Sequence, residues 1–261
     1  MGTLTDLTNA AVTFDLWQTL VFENDRTAIS MVRREARSEK MVQQLSQFGV
    51  KIELSVVREG FNSLSSEITA GHDDGCDAPY EDWIKILVER LAPELAGQIS
   101  SAEIAHIGKL VDQTFLDTPP KLLDGTKELL SELKKRGLKI GLISNTGLTS
   151  PQTYNKWFSQ QGILDGFDFL AFSNEQSVAK PDAAIFEITL TNLGVDANRS
   201  LHVGDNMHTD VYGAAAVGMS TVWVSGGTNS PVETNTKPNY SVDSVIELPA
   251  IVEEWFASLG S

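Results

Sequence analysis

The chain has 261 residues, 41% hydrophobic and 21% charged, and its 20 Lys plus Arg against 35 Asp plus Glu give a formal net charge of −15. At roughly 150 residues per domain, that length is one large domain or a core with a smaller second unit, and the composition excludes a disordered tail or a disulfide-stapled miniprotein. The acidic balance repels a phosphate backbone and so argues against a nucleic-acid partner, while leaving open whether some of the charge is gathered around a cation.

The single cysteine, Cys76, cannot form an internal disulfide, and residues 1–17 have neither a basic start nor a long apolar run. No stretch approaches 18 uninterrupted apolar residues. These features predict a cytoplasmic protein with no membrane partner and no reactive-thiol role for Cys76, which lies in the polar stretch GHDDGCDAP. Oligomeric state is not readable.

In chain order, AVTFDL at 11–16 is a short apolar run of the kind that forms a buried strand. Residues 22–117 then change character. Helical spacing recurs in AISMVRREARSEKMVQQLSQFG, LSVVREGFNSLSSEIT, YEDWIKILVERLAPEL and SAEIAHIGKLVDQTF, which predicts an all-helical insertion. Its crossings fall near Phe22–Arg26 and Asp117–Pro120, and Thr118-Pro119-Pro120 suits a stiff hinge. Beyond it, strand-like runs at 138–143, 168–172, 200–203 and 220–224 alternate with helix-like segments. Among these, Asp124 is a plausible cap and Gly137 a stop, a helix begins at Pro181, and DVYGAAAVG ends at Gly218. That alternation predicts an α/β fold with a doubly wound parallel sheet. The core comprises 1–21 plus 118–261, and the helical cap 22–117.

Ligands of open α/β sheets bind beyond the carboxyl ends of the strands, so the polar residues ending each run matter most. The first run ends in Asp15-Leu16-Trp17-Gln18-Thr19, the second in Ser144-Asn145, and the third leads to Lys180-Pro181. The fourth ends in Gly204-Asp205, with Asp210 five residues on. A carboxylate such as Asp15 can attack phosphorus or carbon and form a covalent intermediate. A hydroxyl at Ser144 and the ammonium of Lys180 can neutralise developing charge. Asp15, Asp205 and Asp210 would repel one another unless a cation joined them, and hard oxygen ligands suit Mg²⁺. Asp210 could alternatively cap the helix it opens.

These four motifs, in this order, resemble those of the haloacid dehalogenase-like (HAD) hydrolase superfamily. Asp-x-x-x-Thr looks like Asp15 to Thr19, the strand ending in Ser looks like GLISNTG, the lysine motif like AKPD, and the last motif like Gly204-Asp205-x-x-x-x-Asp210. The resemblance implies a Rossmann-like core with a helical cap. It also implies Asp15, Ser144 and Lys180 as catalytic groups, and Mg²⁺ held by Asp15, Asp205, Asp210 and the main-chain carbonyl of Trp17. Thr19, Asn145 and Trp17 would face a small-molecule substrate.

The departure is Trp17. Phosphatases of this family usually carry a second Asp there, serving as general acid and base, and an indole cannot exchange a proton at neutral pH. General acid–base assistance is typically worth about 10²–10⁴ in rate, so alkyl phosphates should be poor substrates. The expectation is a Mg²⁺-dependent phosphatase weak on alkyl phosphates. Two alternatives stand beside it: a 2-haloacid dehalogenase-type enzyme, whose halide leaves without a proton, and a low-turnover ligand- or partner-binding module. For the dehalogenase, Arg26, Arg33, Arg34 and Arg37 are near enough in sequence to meet a substrate anion, although this spacing more often marks a solvated helix face. His202 reads as a packed sheet residue, and His208 as a residue that could reach the site. Trp83, Trp157 and Trp223 fit packing, and Gly226-Gly227 fits a turn. Asp73, Asp74 and Asp77 would disfavour highly anionic substrates if they face the cleft.

Overall fold

The structure is a computed structural model that describes residues 9–23, 28–225 and 235–259. Six parallel strands form one sheet: β1 (Ala11–Phe14), β4 (Lys139–Ser144), β5 (Phe169–Phe172), β6 (Ser200–Gly204), β7 (Ser220–Val224) and β8 (Tyr240–Val242). Their spatial order is β5-β4-β1-β6-β7-β8. The chain builds outward from β1 on one side through β4 and β5, and on the other through β6, β7 and β8. Reversal of direction beside β1 leaves a crevice at the carboxyl ends of β1, β4 and β6.

Strands buried on both faces are mostly apolar, and β1 reads as AVTF with all four residues buried, Thr13 being its polar member. One face packs Val12, Phe14, Ile140, Leu142, Leu201 and Val203 against α5 (Thr126–Lys135), α6 (Pro151–Gln161) and α10 (Leu248–Ser258). The other packs Ile143 and Ala171 against Ile185 and Phe186 of α8 (Ala183–Leu193) and Ala214 of α9 (Gly213–Ala216). A short α7 (Ser173–Gln176) follows β5.

Between β1 and β4 the chain inserts four helices, α1 (Ala28–Gln47), α2 (Leu54–Asp73), α3 (Tyr80–Leu91) and α4 (Ser101–Asp117). Their inward faces form an apolar cluster of their own, with Met41, Leu45, Val57, Leu64, Ile84, Leu87, Ile107 and Val111. The two passages into and out of this insertion pair as antiparallel strands β2 (Val21–Phe22) and β3 (Lys121–Leu122), next to the Thr118-Pro119-Pro120 stretch. Part of the first crossing, including Arg26, lies outside the described residues, as does Gly226-Gly227.

Three local expectations are corrected. The first strand ends at Phe14, so Asp15 stands just beyond it. Helix α5 takes Gly125 at its N-terminus, in the left-handed region at φ 84°, with no side-chain cap, so Asp124 does not cap it. Asn206, rather than Asp210, caps the helical turn after β6, accepting the backbone N–H groups of His208 and Thr209. Asp210 sits inside that turn, a π-helical segment over Met207–Tyr212.

Candidate active site

The carboxyl end of β1 delivers Asp15, whose backbone N–H donates to Val203 O of β6 at 2.9 Å. The turn that follows is tight. Gln18 adopts φ 59°, and the backbone N–H groups of Leu20 and Val21 both donate to Leu16 O at 2.9 Å. The end of β6 delivers Asp205, and the π-helical turn swings Asp210 back over Gly204. A Cβ at Gly204 would lie 2.2 Å from Asp210 Cγ, so glycine is required for this approach. Asp15, Asp205 and Asp210 are all buried, and one oxygen from each lies within 4.8 Å of the others.

Lys180 enters from the loop between α7 and α8 and donates to Asp15 Oδ1 and Asp210 Oδ1, both at 2.6 Å. Its backbone is clamped by Asn145, whose amide nitrogen donates to Lys180 O at 2.9 Å and whose amide oxygen accepts from Lys180 N at 2.8 Å. Asn145 therefore positions the lysine, and its amide is already committed to protein. Ser144 is fully buried at the end of β4, with its hydroxyl 3.4 Å from Asn145 O. Thr19 is also fully buried, and its hydroxyl finds no hydrogen-bond partner among the described residues.

The electrostatics follow from burial. Loss of water pushes Asp15 up to about 7; Lys180 opposes this, while Asp210 and Asp205 reinforce it. Burial also works against ionised Asp210, but Lys180 and then the His202 contact hold its carboxyl below the usual carboxylate range. For Lys180, burial favours the neutral amine, and the charges of Asp15 and Asp210 outweigh it, raising the ammonium above its ordinary value. Three carboxylates thus converge, buried, around the Lys180 ammonium. Hard oxygen donors gathered in this way fit a divalent cation of the Mg²⁺ type.

Trp17 packs partly buried against the apolar core cluster that includes Tyr154 of α6. Its indole fills the position and cannot exchange a proton at neutral pH. Trp223 donates its indole N–H to Asp205 O at 2.8 Å, and so steadies the loop after β6.

The sequence reading missed what joins insertion and core. Asp77, in the loop after α2, has a fully buried carboxylate. Its Oδ1 accepts from Ala78 N at 2.7 Å and from the Trp83 indole at 2.8 Å. Its Oδ2 lies 2.9 Å from His72 Nε2 and accepts from Ser173 Oγ at 2.6 Å, and Ser173 Oγ accepts Thr146 N at 2.8 Å, two residues after Ser144. Asp77 is thus a tie to the core and is not free to face a substrate. His208 Nε2 lies 3.4 Å from Asp73 O, a further contact with the insertion, and its ring stacks on Tyr212. Arg33 is buried, pairing with Glu23 and donating to Thr118 O at 2.8 Å, so it does not belong to a solvated face. Cys76 is an exposed free thiol. No described helix is long and apolar enough to cross a membrane.

A family model described as haloacid dehalogenase-like hydrolase matches residues 2–218. The chain is 36% identical over 131 residues to an (S)-2-haloacid dehalogenase of Pseudomonas sp. (strain YL), a match that covers 50% of this chain and 53% of that one, so the chain spans about half the length of this relative. It is 28% identical over 242 residues to the glyceraldehyde 3-phosphate phosphatase of Methanocaldococcus jannaschii, covering 93% of this chain and 96% of the other. The fold is also that of a 2-haloacid dehalogenase from Pseudomonas syringae pv. Tomato DC3000, with a TM-score of 0.67, 21% identity, and coverage of 94% and 99% of the two chains.

Proposed function

Because the chain belongs to the haloacid dehalogenase-like hydrolase family, we propose that it is a Mg²⁺-dependent phosphatase of small phosphorylated metabolites, with Asp15 as nucleophile. The observation that carries this reading is the convergence of Asp15, Asp205 and Asp210 around Lys180. An enzyme that displaces halide from carbon has no need of three converging carboxylates, whereas a phosphoryl group brings negative charge that must be matched.

The ionised Asp15 carboxylate attacks phosphorus, forming an oxygen–phosphorus bond as the ester oxygen departs with its electron pair. Water then cleaves the aspartyl phosphate, releasing inorganic phosphate and regenerating the carboxylate. Lys180 holds its proton throughout, offsetting the charge of Asp15 and of the transferring phosphoryl oxygens. The Ser144 hydroxyl and the backbone N–H groups beyond β1 are donors for those oxygens. A bound Mg²⁺ would be held by Asp15, Asp205, Asp210 and the Trp17 carbonyl, and would supply charge neutralisation between carboxylates and phosphoryl group. Trp17 gives the leaving group no proton, so esters with stable leaving groups react best.

Dehalogenation is the second reading, favoured by the indole of Trp17, since halide departs unprotonated. Low-turnover binding is the third. The test is release of phosphate from p-nitrophenyl, acetyl and glycerol phosphates, with and without Mg²⁺, beside halide release from a 2-haloacid. The expected outcome is Mg²⁺-dependent hydrolysis of the first two and little of the third, with Trp17→Asp raising glycerol phosphate turnover by about 10². Chelator-insensitive halide release without phosphate release would replace phosphatase by dehalogenase. No turnover of any substrate would leave the binding reading.

A further inference from the structure

His202 has no part in the phosphoryl transfer described above, yet it touches one of the three carboxylates. It and Thr13 are register partners on adjacent parallel strands β6 and β1, both essentially fully buried. Thr13 Oγ1 lies 2.8 Å from His202 Nδ1, and His202 Nε2 lies 3.2 Å from Asp210 Oδ1. An ionised carboxylate only accepts, so Nε2 must carry the hydrogen. With Nε2–H turned to the carboxylate, Nδ1 is left as an acceptor for the Thr13 hydroxyl. The two contacts are satisfied together by one tautomer. The ring is also fenced, since Phe186 meets it edge-on at 5.3 Å and 88°.

Asp210 is thereby held at both oxygens. Oδ2 accepts from Asn206 N at 2.9 Å, while Oδ1 accepts from Lys180 and from His202. The two donors on Oδ1 differ in kind. The ammonium of Lys180 cancels charge that a cation would otherwise use, whereas a neutral N–H fixes the carboxylate and subtracts nothing. We infer that His202 is a positioning residue, held in its Nε2–H tautomer by Thr13, that orients Asp210 to receive a divalent cation. The role of the cation rests on the function proposed above; the tautomer does not.

Two measurements test this. In the metal-free protein, long-range ¹H–¹⁵N spectra should show His202 as the neutral Nε2–H tautomer, and Thr13→Val should mix the tautomers. A neutral Nδ1–H form, or an unchanged spectrum in Thr13→Val, would overturn the assignment. Calorimetric titration with MgCl₂ should then give a dissociation constant raised about 10–100-fold in His202→Leu and largely restored in His202→Gln, whose amide can donate. Equal affinity in wild type and His202→Leu would overturn the positioning role while leaving the cation site standing. A wild type that binds no Mg²⁺ would overturn the cation site itself, and with it this role for His202. Should His202→Leu fail to fold, Thr13→Val carries the titration, with a weaker affinity expected and an unchanged one counting against the inference.

Discussion

Asp15→Asn should abolish hydrolysis and yet stabilise the metal-free protein above neutral pH. Burial, reinforced by Asp210 and Asp205 and only partly offset by Lys180, pushes this carboxyl from 3.8 up to about 7. The folded chain therefore keeps the proton to a higher pH than the unfolded chain does. This contribution favours folding below pH 3.8 and is lost as pH rises toward 7. Three pH units at 1.36 kcal/mol each amount to about 4 kcal/mol by pH 8. Asparagine keeps an oxygen for the Lys180 ammonium and cannot ionise, so it escapes the loss. Urea unfolding in EDTA should show the variant more stable by up to about 4 kcal/mol at pH 8, and by under half of that at pH 5. Mg²⁺ should narrow the gap at pH 8, because saturation at a hundredfold over its dissociation constant stabilises the wild type by about 2.7 kcal/mol. Parallel pH profiles for the two proteins would refute the argument that Asp15 is strained by its own charge.

Gly204→Ala should fold but fail to bind Mg²⁺ in a calorimetric titration, because the new methyl meets Asp210 Cγ at 2.2 Å and must displace it; unaltered affinity would show that Asp210 is not a ligand. Asp77→Asn replaces one of two accepting oxygens by a donor facing donors already in place, which should cost about 1–3 kcal/mol in urea unfolding. The same variant should accelerate hydrogen exchange at Ala179 N, which donates to Gly75 O at 2.9 Å across the same contact; unchanged exchange would mean that Asp77 does not hold the loop to the core.

The strands that matter to the site were legible because a strand buried on both faces is drawn mostly from apolar residues. The runs ending at Asp15, Ser144 and Gly204-Asp205 could hardly be anything else. The four inserted helices were legible for the opposite reason, since each buries one stripe and repeats it. What escaped was too short to show a period. Strands β2 and β3 have two residues each, and β8 has three. The caps misled because Asp124 and Asp210 are both competent capping types, and only the path of the backbone decides which such residue meets the free N–H groups.

The site was legible as a set of strand ends and illegible as a set of contacts. That Asp15, Lys180 and Asp210 meet follows from sheet order, which places β1 between β4 and β6. That Asn145 spends its amide on the Lys180 backbone, or that His202 reaches Asp210 eight residues on, depends on angles that no spacing rule encodes. Trp17 shows the difference most clearly. From sequence it is a missing acid; in the structure it is a partly buried side chain packed against the apolar core. An indole at this position brings no carboxylic acid to the leaving group. Without a carboxylic acid there to protonate an alkoxide, turnover should depend steeply on the basicity of the leaving group.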